Sequence, residues 1–173
     1  MSAGYLRSLV LSGAILLSGL ACRTRPPSWD TLKTQIREEF PAVEHIAIAD
    51  LEQRLGNSAA EDILLVDVRR PEEFAVSHLR GAVNLEDPDA IVALVEQQGA
   101  GQIVIYCSVG YRSARMAEIL ETKDGLSVFN LEGSIFEWAN SGRPVFVGQE
   151  AVTRVHPFDR RWGQLLDRRY HSH

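Results

Sequence analysis

The sequence predicts an α/β fold: a mainly parallel five-stranded sheet with helices on both faces. Three observations carry this. The runs Ile63-Leu64-Leu65-Val66 and Ile103-Val104-Ile105-Tyr106 are continuously apolar, as in strands buried on both faces. Segments with apolar residues at helical spacing fall between the strand candidates. The two kinds alternate, which favours parallel strands joined by crossover helices.

Each element has its own signal. Trp29, Leu32, Ile36 and Phe40 recur at helical spacing with charges between them, and Pro41 stops that helix. Residues 45–48 form a strand candidate. Asp50 is expected to cap a short helix carrying Leu51 and Leu55, and Gly56-Asn57 turns the chain. The second strand, 63–66, ends in Asp67-Val68-Arg69. Pro71-Glu72-Glu73-Phe74 reads as a first helical turn, with proline and acids at its start. Residues 81–85 form another short strand. Ile91, Val92, Leu94 and Val95 mark a helix face ending near Gly99. Strand 103–106, a loop, a helix to Glu121, a fifth strand at 127–131 and a short helix at 135–140 with Trp138 follow. Gly142-Arg143-Pro144 closes the domain.

The N-terminus reads differently. Arg7 precedes an apolar stretch, residues 9–20, that is short for a membrane span and proportioned like a signal peptide. Leu20-Ala21-Cys22 resembles a bacterial lipobox, although Gly19 stands where a larger aliphatic residue is usual. That resemblance implies lipidation of Cys22 and an exported protein anchored on the periplasmic side of a bacterial membrane. The alternative is a short membrane anchor or a buried helix. Residues 1–21 are thus read as a lipoprotein-type signal peptide and 22–42 as tether and N-terminal helix. Residues 43–147 form the domain, and 148–173 a tail packed on it.

With 18 basic and 23 acidic residues the net charge is −5, which argues against a nucleic-acid partner. The chain has two cysteines. If Cys22 is lipidated, Cys107 is left without a disulfide or resolving partner, which argues against a dithiol oxidoreductase. His171 and His173 make a weak terminal pair, so no metal is expected. No cofactor is expected, and the protein is read as monomeric. In the tail, Phe158, Trp162, Leu165 and Leu166 recur at helical spacing and predict a short amphipathic helix folded back on the domain. Its Arg and Trp residues resting on anionic lipid is the alternative.

The sharpest feature is Cys107-Ser108-Val109-Gly110-Tyr111-Arg112-Ser113, where a strand ends and a helix begins. Unpaired N–H groups and the helix dipole favour negative charge there. A cysteine so placed ionises below its free value, and the thiolate is the reactive form. Arg112 adds a fixed positive charge. The alternative is an inert buried thiol behaving as a small hydrophobe. Asp67 and Cys107 both fall at strand carboxyl ends, where α/β sheets bind ligands.

Three motifs resemble the rhodanese family, in order and spacing, from about Val43 to Val147. They are Leu65-Val66-Asp67-Val68-Arg69 with Pro71-Glu72-Glu73-Phe74 and His78-Leu79-Arg80-Gly81-Ala82-Val83-Asn84; the Cys107 loop; and Leu131-Glu132-Gly133-Ser134 with Trp138 and Gly142-Arg143-Pro144. Ser77, Arg80 and Glu132 depart from the usual glycine, proline and glycine, and Glu132 is expected near the loop mouth. The resemblance implies a rhodanese-like fold and a sulfurtransferase. Cys107 would take a sulfane sulfur from a small thiosulfate-like donor and pass it to cyanide or a thiol. Amides of residues 108–113 would stabilise thiolate and persulfide. Gly110 would let the loop curl, Arg112 would orient an anionic donor, and Ser113 would cap the helix or donate to the sulfur. Asp67 and Arg69 would frame the loop, Glu73 would partner an arginine or face solvent, His78 would be framework and Trp138 core.

Two other readings stand beside this one. A phosphatase or arsenate reductase loop resembles cysteine, five residues, arginine; here four residues separate Cys107 from Arg112. A sulfur carrier or docking module without turnover is also open, since fold alone does not fix function.

Overall fold

The computed structural model describes residues 26–57, 62–122 and 127–172. The signal-peptide segment and Cys22 lie outside the described residues. Apolar spacing and capping set the first helix, α1 (Trp29–Glu39). The Ser28 hydroxyl accepts from the Thr31 N–H, and Leu32 and Ile36 face the core. There follow β1 (Glu44–Ile46), α2 (Ile48–Leu55), β2 (Ile63–Asp67), α3 (Pro71–Val76), β3 (Val83–Asn84) and α4 (Pro88–Gln98). Then come β4 (Gln102–Tyr106), α5 (Tyr111–Glu121), β5 (Ser127–Leu131) and α6 (Ser134–Asn140), and finally the hairpin β6 (Val145–Val147) and β7 (Glu150–Val152).

The five-stranded sheet has the order β1-β5-β4-β2-β3, with every pairing parallel. From β1 the chain crosses to β2 and β3 in one direction, then returns through β4 to β5. Right-handed crossovers therefore place α2 and α3 on one face and α4 and α5 on the other. The middle strands β2 and β4 carry the continuous apolar runs, and Val66, Val104 and Ile105 are fully buried. Phe40 at the end of α1 and Ile36 within it join the same core.

Three expectations need correction. Asp50 is not a cap: α2 begins at Ile48 with Ala47 at the N-cap, and Asp50 lies in the first turn, where its charge suits the helix dipole. The first strand stops at Ile46 for the same reason. The described residues of the tail form no α-helix. The tail forms 3₁₀ turns at Trp162–Leu165 and Arg168–Tyr170. Its two ends are tied by Val155 N–H to the Tyr170 carbonyl (2.7 Å) and Ser172 N–H to the Val155 carbonyl (3.0 Å), which closes the segment into a loop. It packs on the domain through Val155 and Leu166, both buried. Among the described residues no helix is long and apolar enough to cross a membrane.

One buried ion pair anchors the carboxyl end of the sheet. Arg69 Nε donates to Asp67 Oδ1 (2.9 Å) and Arg69 Nη2 to Asp67 Oδ2 (2.7 Å), with both side chains 0% exposed. The same Nη2 donates to the Ser77 carbonyl at 2.6 Å. Asn84 Nδ2 donates to the carbonyls of Asp67 and Arg69, and Leu79 N–H donates to the Tyr106 hydroxyl. These bonds tie β2, β3, β4 and the segment after α3 into one rigid floor. Removing one partner of a buried pair strands the other charge. Asp67→Ala is therefore expected to cost about 3–5 kcal/mol, read as a lower midpoint in urea unfolding; an unchanged midpoint would contradict this role.

Candidate active site

Cys107 follows β4 directly and its thiol is buried, 1% exposed. The loop curls back on its own sulfur. Gly110 N–H donates to Sγ at 3.2 Å, and Ser113 Oγ donates to it at 3.5 Å. Gly110 is the N-cap of α5 with φ +104°, a conformation that a side chain disfavours. Ser113 therefore serves the sulfur and not the cap.

Neighbouring elements hold the loop from behind. Cys107 N–H donates to Ser134 Oγ (3.1 Å), and that hydroxyl donates to the Leu131 carbonyl. The first N–H groups of α6 donate to loop carbonyls: Ile135 to Cys107 (3.2 Å) and Phe136 to Ser108 (3.1 Å). Asn130 Nδ2, at the end of β5, donates to the Gly110 carbonyl at 3.1 Å. The loop backbone is thus satisfied on its inner side, leaving the Gly110 N–H for the sulfur.

Arg112 is gripped by Glu73 from α3. Nη1 donates to Oε2 and Nη2 to Oε1, both at 2.9 Å, and Nη2 also donates to Ser108 Oγ at 3.0 Å. Ser108 Oγ donates in turn to Glu73 Oε1. Glu73 is 1% exposed. Burial raises its carboxyl, but the Arg112 hydrogen bonds and charge and the Arg70 N–H outweigh burial and hold it below the usual carboxylate range. Burial likewise pushes the Cys107 thiol up. The Arg112 charge, the Ser113 hydroxyl and the N–H groups of Ser113 and Gly110 outweigh it, and the net shift is downward.

The remaining sequence candidates are placed as follows. Ser108 and Val109 are buried in the loop. Tyr111 turns outward: its hydroxyl donates to Glu39 of α1 and its ring meets Phe40 edge-on at 5.4 Å. Asp67 and Arg69 form the floor pair. His78 stacks on Phe74 at 4.1 Å, and its Nδ1 lies 2.9 Å from the Leu79 carbonyl. Gly148 N–H donates to its Nε2, so its bonds run to the β6–β7 hairpin. Trp138 is buried and donates to the Pro144 carbonyl. Glu132 pairs with Arg37 of α1 at 2.5 Å.

Three contributors were not singled out from the sequence. Asn130 and Ser134 hold the loop; their position at the carboxyl end of a strand beside β4 is the signal that could have found them. Phe158, from the tail, lies over the Arg112 guanidinium at 4.7 Å, and no local pattern announces it.

The Rhodanese-like domain family matches residues 47–141. The chain belongs to the rhodanese-like family. A sulfurtransferase of Allochromatium vinosum is 35% identical over 103 residues, 60% of this chain and 94% of that protein. A tRNA uridine(34) hydroxylase of Photorhabdus laumondii is 28% identical over 134 residues, and the match spans 71% of this chain but only 36% of the relative. Rhodanese-like relatives thus include a sulfurtransferase and a hydroxylase of which this chain matches about a third. The thiosulfate sulfurtransferase structure from Pseudomonas aeruginosa matches with TM-score 0.57 and 15% identity, over 79% of this chain and 26% of that one. A Rhodopseudomonas palustris protein described as a possible tyrosine phosphatase matches with TM-score 0.53 and 24% identity, over 72% and 98%. At these identities the likeness is one of fold.

The rhodanese-like loop makes a direct prediction about its thiol. In a pH titration of thiolate absorbance, taken as the difference from Cys107→Ser, the Cys107 midpoint falls below the free-thiol value of about 8.5. Ser113→Ala moves it upward, because a donor to the charged form is lost. A native midpoint at or above the free value would contradict the cradle.

Proposed function

We propose that the protein is a rhodanese-type sulfurtransferase working through a Cys107 persulfide. The observation that carries this reading is the sulfur cradle: one buried thiol receives the Gly110 N–H and the Ser113 hydroxyl, beside a pinned guanidinium. The same donors suit a persulfide anion, whose charge lies one atom further out. In the first half-reaction the thiolate attacks the sulfane sulfur of a donor such as thiosulfate. A sulfur–sulfur bond forms at Cys107, the donor's own breaks, and sulfite leaves with the electron pair. In the second, an acceptor such as cyanide or a thiol attacks the outer sulfur and the Cys107 thiolate is released. No net oxidant is consumed.

The cradle favours this over a phosphatase. Four residues separate Cys107 from Arg112, and the Gly110 N–H is spent on Sγ itself, not turned outward to a tetrahedral oxyanion. Lipidation of Cys22 would place the reaction outside the cytoplasmic membrane, with Cys107 the sole free thiol of the chain.

Thiosulfate:cyanide sulfurtransferase activity tests the proposal. The full chain is expected to form thiocyanate and Cys107→Ser only background. Equal rates from both, or no thiocyanate from the folded and reduced native chain with either thiosulfate or cysteine persulfide as donor, would overturn it in favour of a carrier or docking module.

A further inference from the structure

Residues 148–172 lie beyond the segment that matches the family, 47–141, yet they reach the candidate active site. The tail is anchored at several points. Val155 is 0% exposed and Leu166 is 2%. Asn140 Nδ2 donates to the Leu165 carbonyl (2.7 Å) and Asp167 N–H donates to Asn140 Oδ1 (2.8 Å). Gly163 packs against Pro157, where an added Cβ would come within 3.0 Å of the proline ring. From this frame Phe158 projects with φ +63°, a left-handed backbone that is unfavourable for a bulky residue. His156 Nδ1 accepts the Phe158 N–H at 3.0 Å and steadies the turn. Such outliers persist where the surroundings over-determine them. Here the result is an aromatic ring laid 4.7 Å from the Arg112 guanidinium carbon.

That ring covers one face of Arg112, whose side chain stays 31% exposed. The guanidinium edge is hydrogen-bonded to Glu73 and Ser108. Its charge is matched by Glu73, as Arg69 is matched by Asp67. The charge left over is that of the thiolate. A doubly negative donor thus meets a like charge beside a guanidinium already paired with Glu73. A donor with a hydrocarbon arm meets an aromatic wall.

We propose that Phe158 is a specificity-determining residue of the Cys107 site, turning it from sulfur oxyanions toward organic persulfides as donors. The inference rests on the sulfur-transfer reading above and names its donor class. The thiolate attacks the terminal sulfur of a protonated organic persulfide, the sulfur–sulfur bond of the donor breaks, and the organic thiolate leaves with the electron pair. Cys107 then carries the transferred sulfur and its proton.

The test measures second-order loading of Cys107 in the full chain from thiosulfate and from cysteine persulfide, read by mass spectrometry of the Cys107 peptide. Relative to the native chain, Phe158→Ala raises the thiosulfate-to-persulfide rate ratio about fivefold, the scale of one cation–π contact. Phe158→Leu, which keeps apolar bulk and so tests the ring should the alanine variant unfold, shifts the ratio the same way. Phe158→Tyr retains the native ratio. Loading at an unchanged ratio in the leucine variant overturns this inference alone. No loading from either donor in the folded, reduced native chain overturns the sulfur-transfer reading and the inference with it.

Discussion

Two hydrogen bonds of 2.9 Å join the Arg112 guanidinium to the Glu73 carboxylate, and the shape of the sulfur site follows from them. Arg112 is in the first turn of α5 and Glu73 in α3. The pair therefore ties two helices across the Cys107 loop. Ser108 is drawn into the same cluster through its hydroxyl. With both ends of the loop fixed, residues 107–112 must curl, and the curl brings the Gly110 N–H onto Sγ.

Burial alone would make this thiol inert. Cys107 is as hidden as a core residue, and desolvation opposes its ionisation. Charge and hydrogen bonding outweigh that opposition because the donors are already in place. Gly110 N–H is held by the loop, Ser113 Oγ by the first turn of α5, and Arg112 by Glu73. The bidentate geometry matters here, since a single flexible cation would lose more freedom in reaching the same position. The buried Asp67–Arg69 pair plays the parallel role below. It is fully desolvated, and its value lies in fixing the strand ends from which the loop departs.

Much of this was legible in the sequence, for identifiable reasons. Strands β2 and β4 show themselves as apolar runs because both their faces are covered. The Cys107 loop was legible because strand end, glycine, arginine and helix start fall within seven residues. What stayed hidden depends on long-range pairing. The β6–β7 hairpin has only three residues in each strand, too few for a periodic signal, and it is fastened by His78 and Phe146. The tail carries helical spacing at Phe158, Trp162 and Leu165, yet the bonds from Val155 to Tyr170 and Ser172 close it into a loop and override that spacing. Asp50 looked like a cap because the helix onset at Ile48 has none of the usual capping residues. The commitment of Arg112 to Glu73, and the covering of its face by Phe158, required the fold.

The central claim is that Cys107 is a nucleophile that carries sulfur covalently. Its most direct test is to treat the reduced full chain with thiosulfate in a single turnover, then weigh the Cys107 peptide and discharge it with cyanide. The prediction is one added sulfur atom on Cys107, removed by cyanide with an equimolar yield of thiocyanate. A Cys107 left unmodified by thiosulfate and by cysteine persulfide alike, in folded protein with its thiol intact, would contradict the claim.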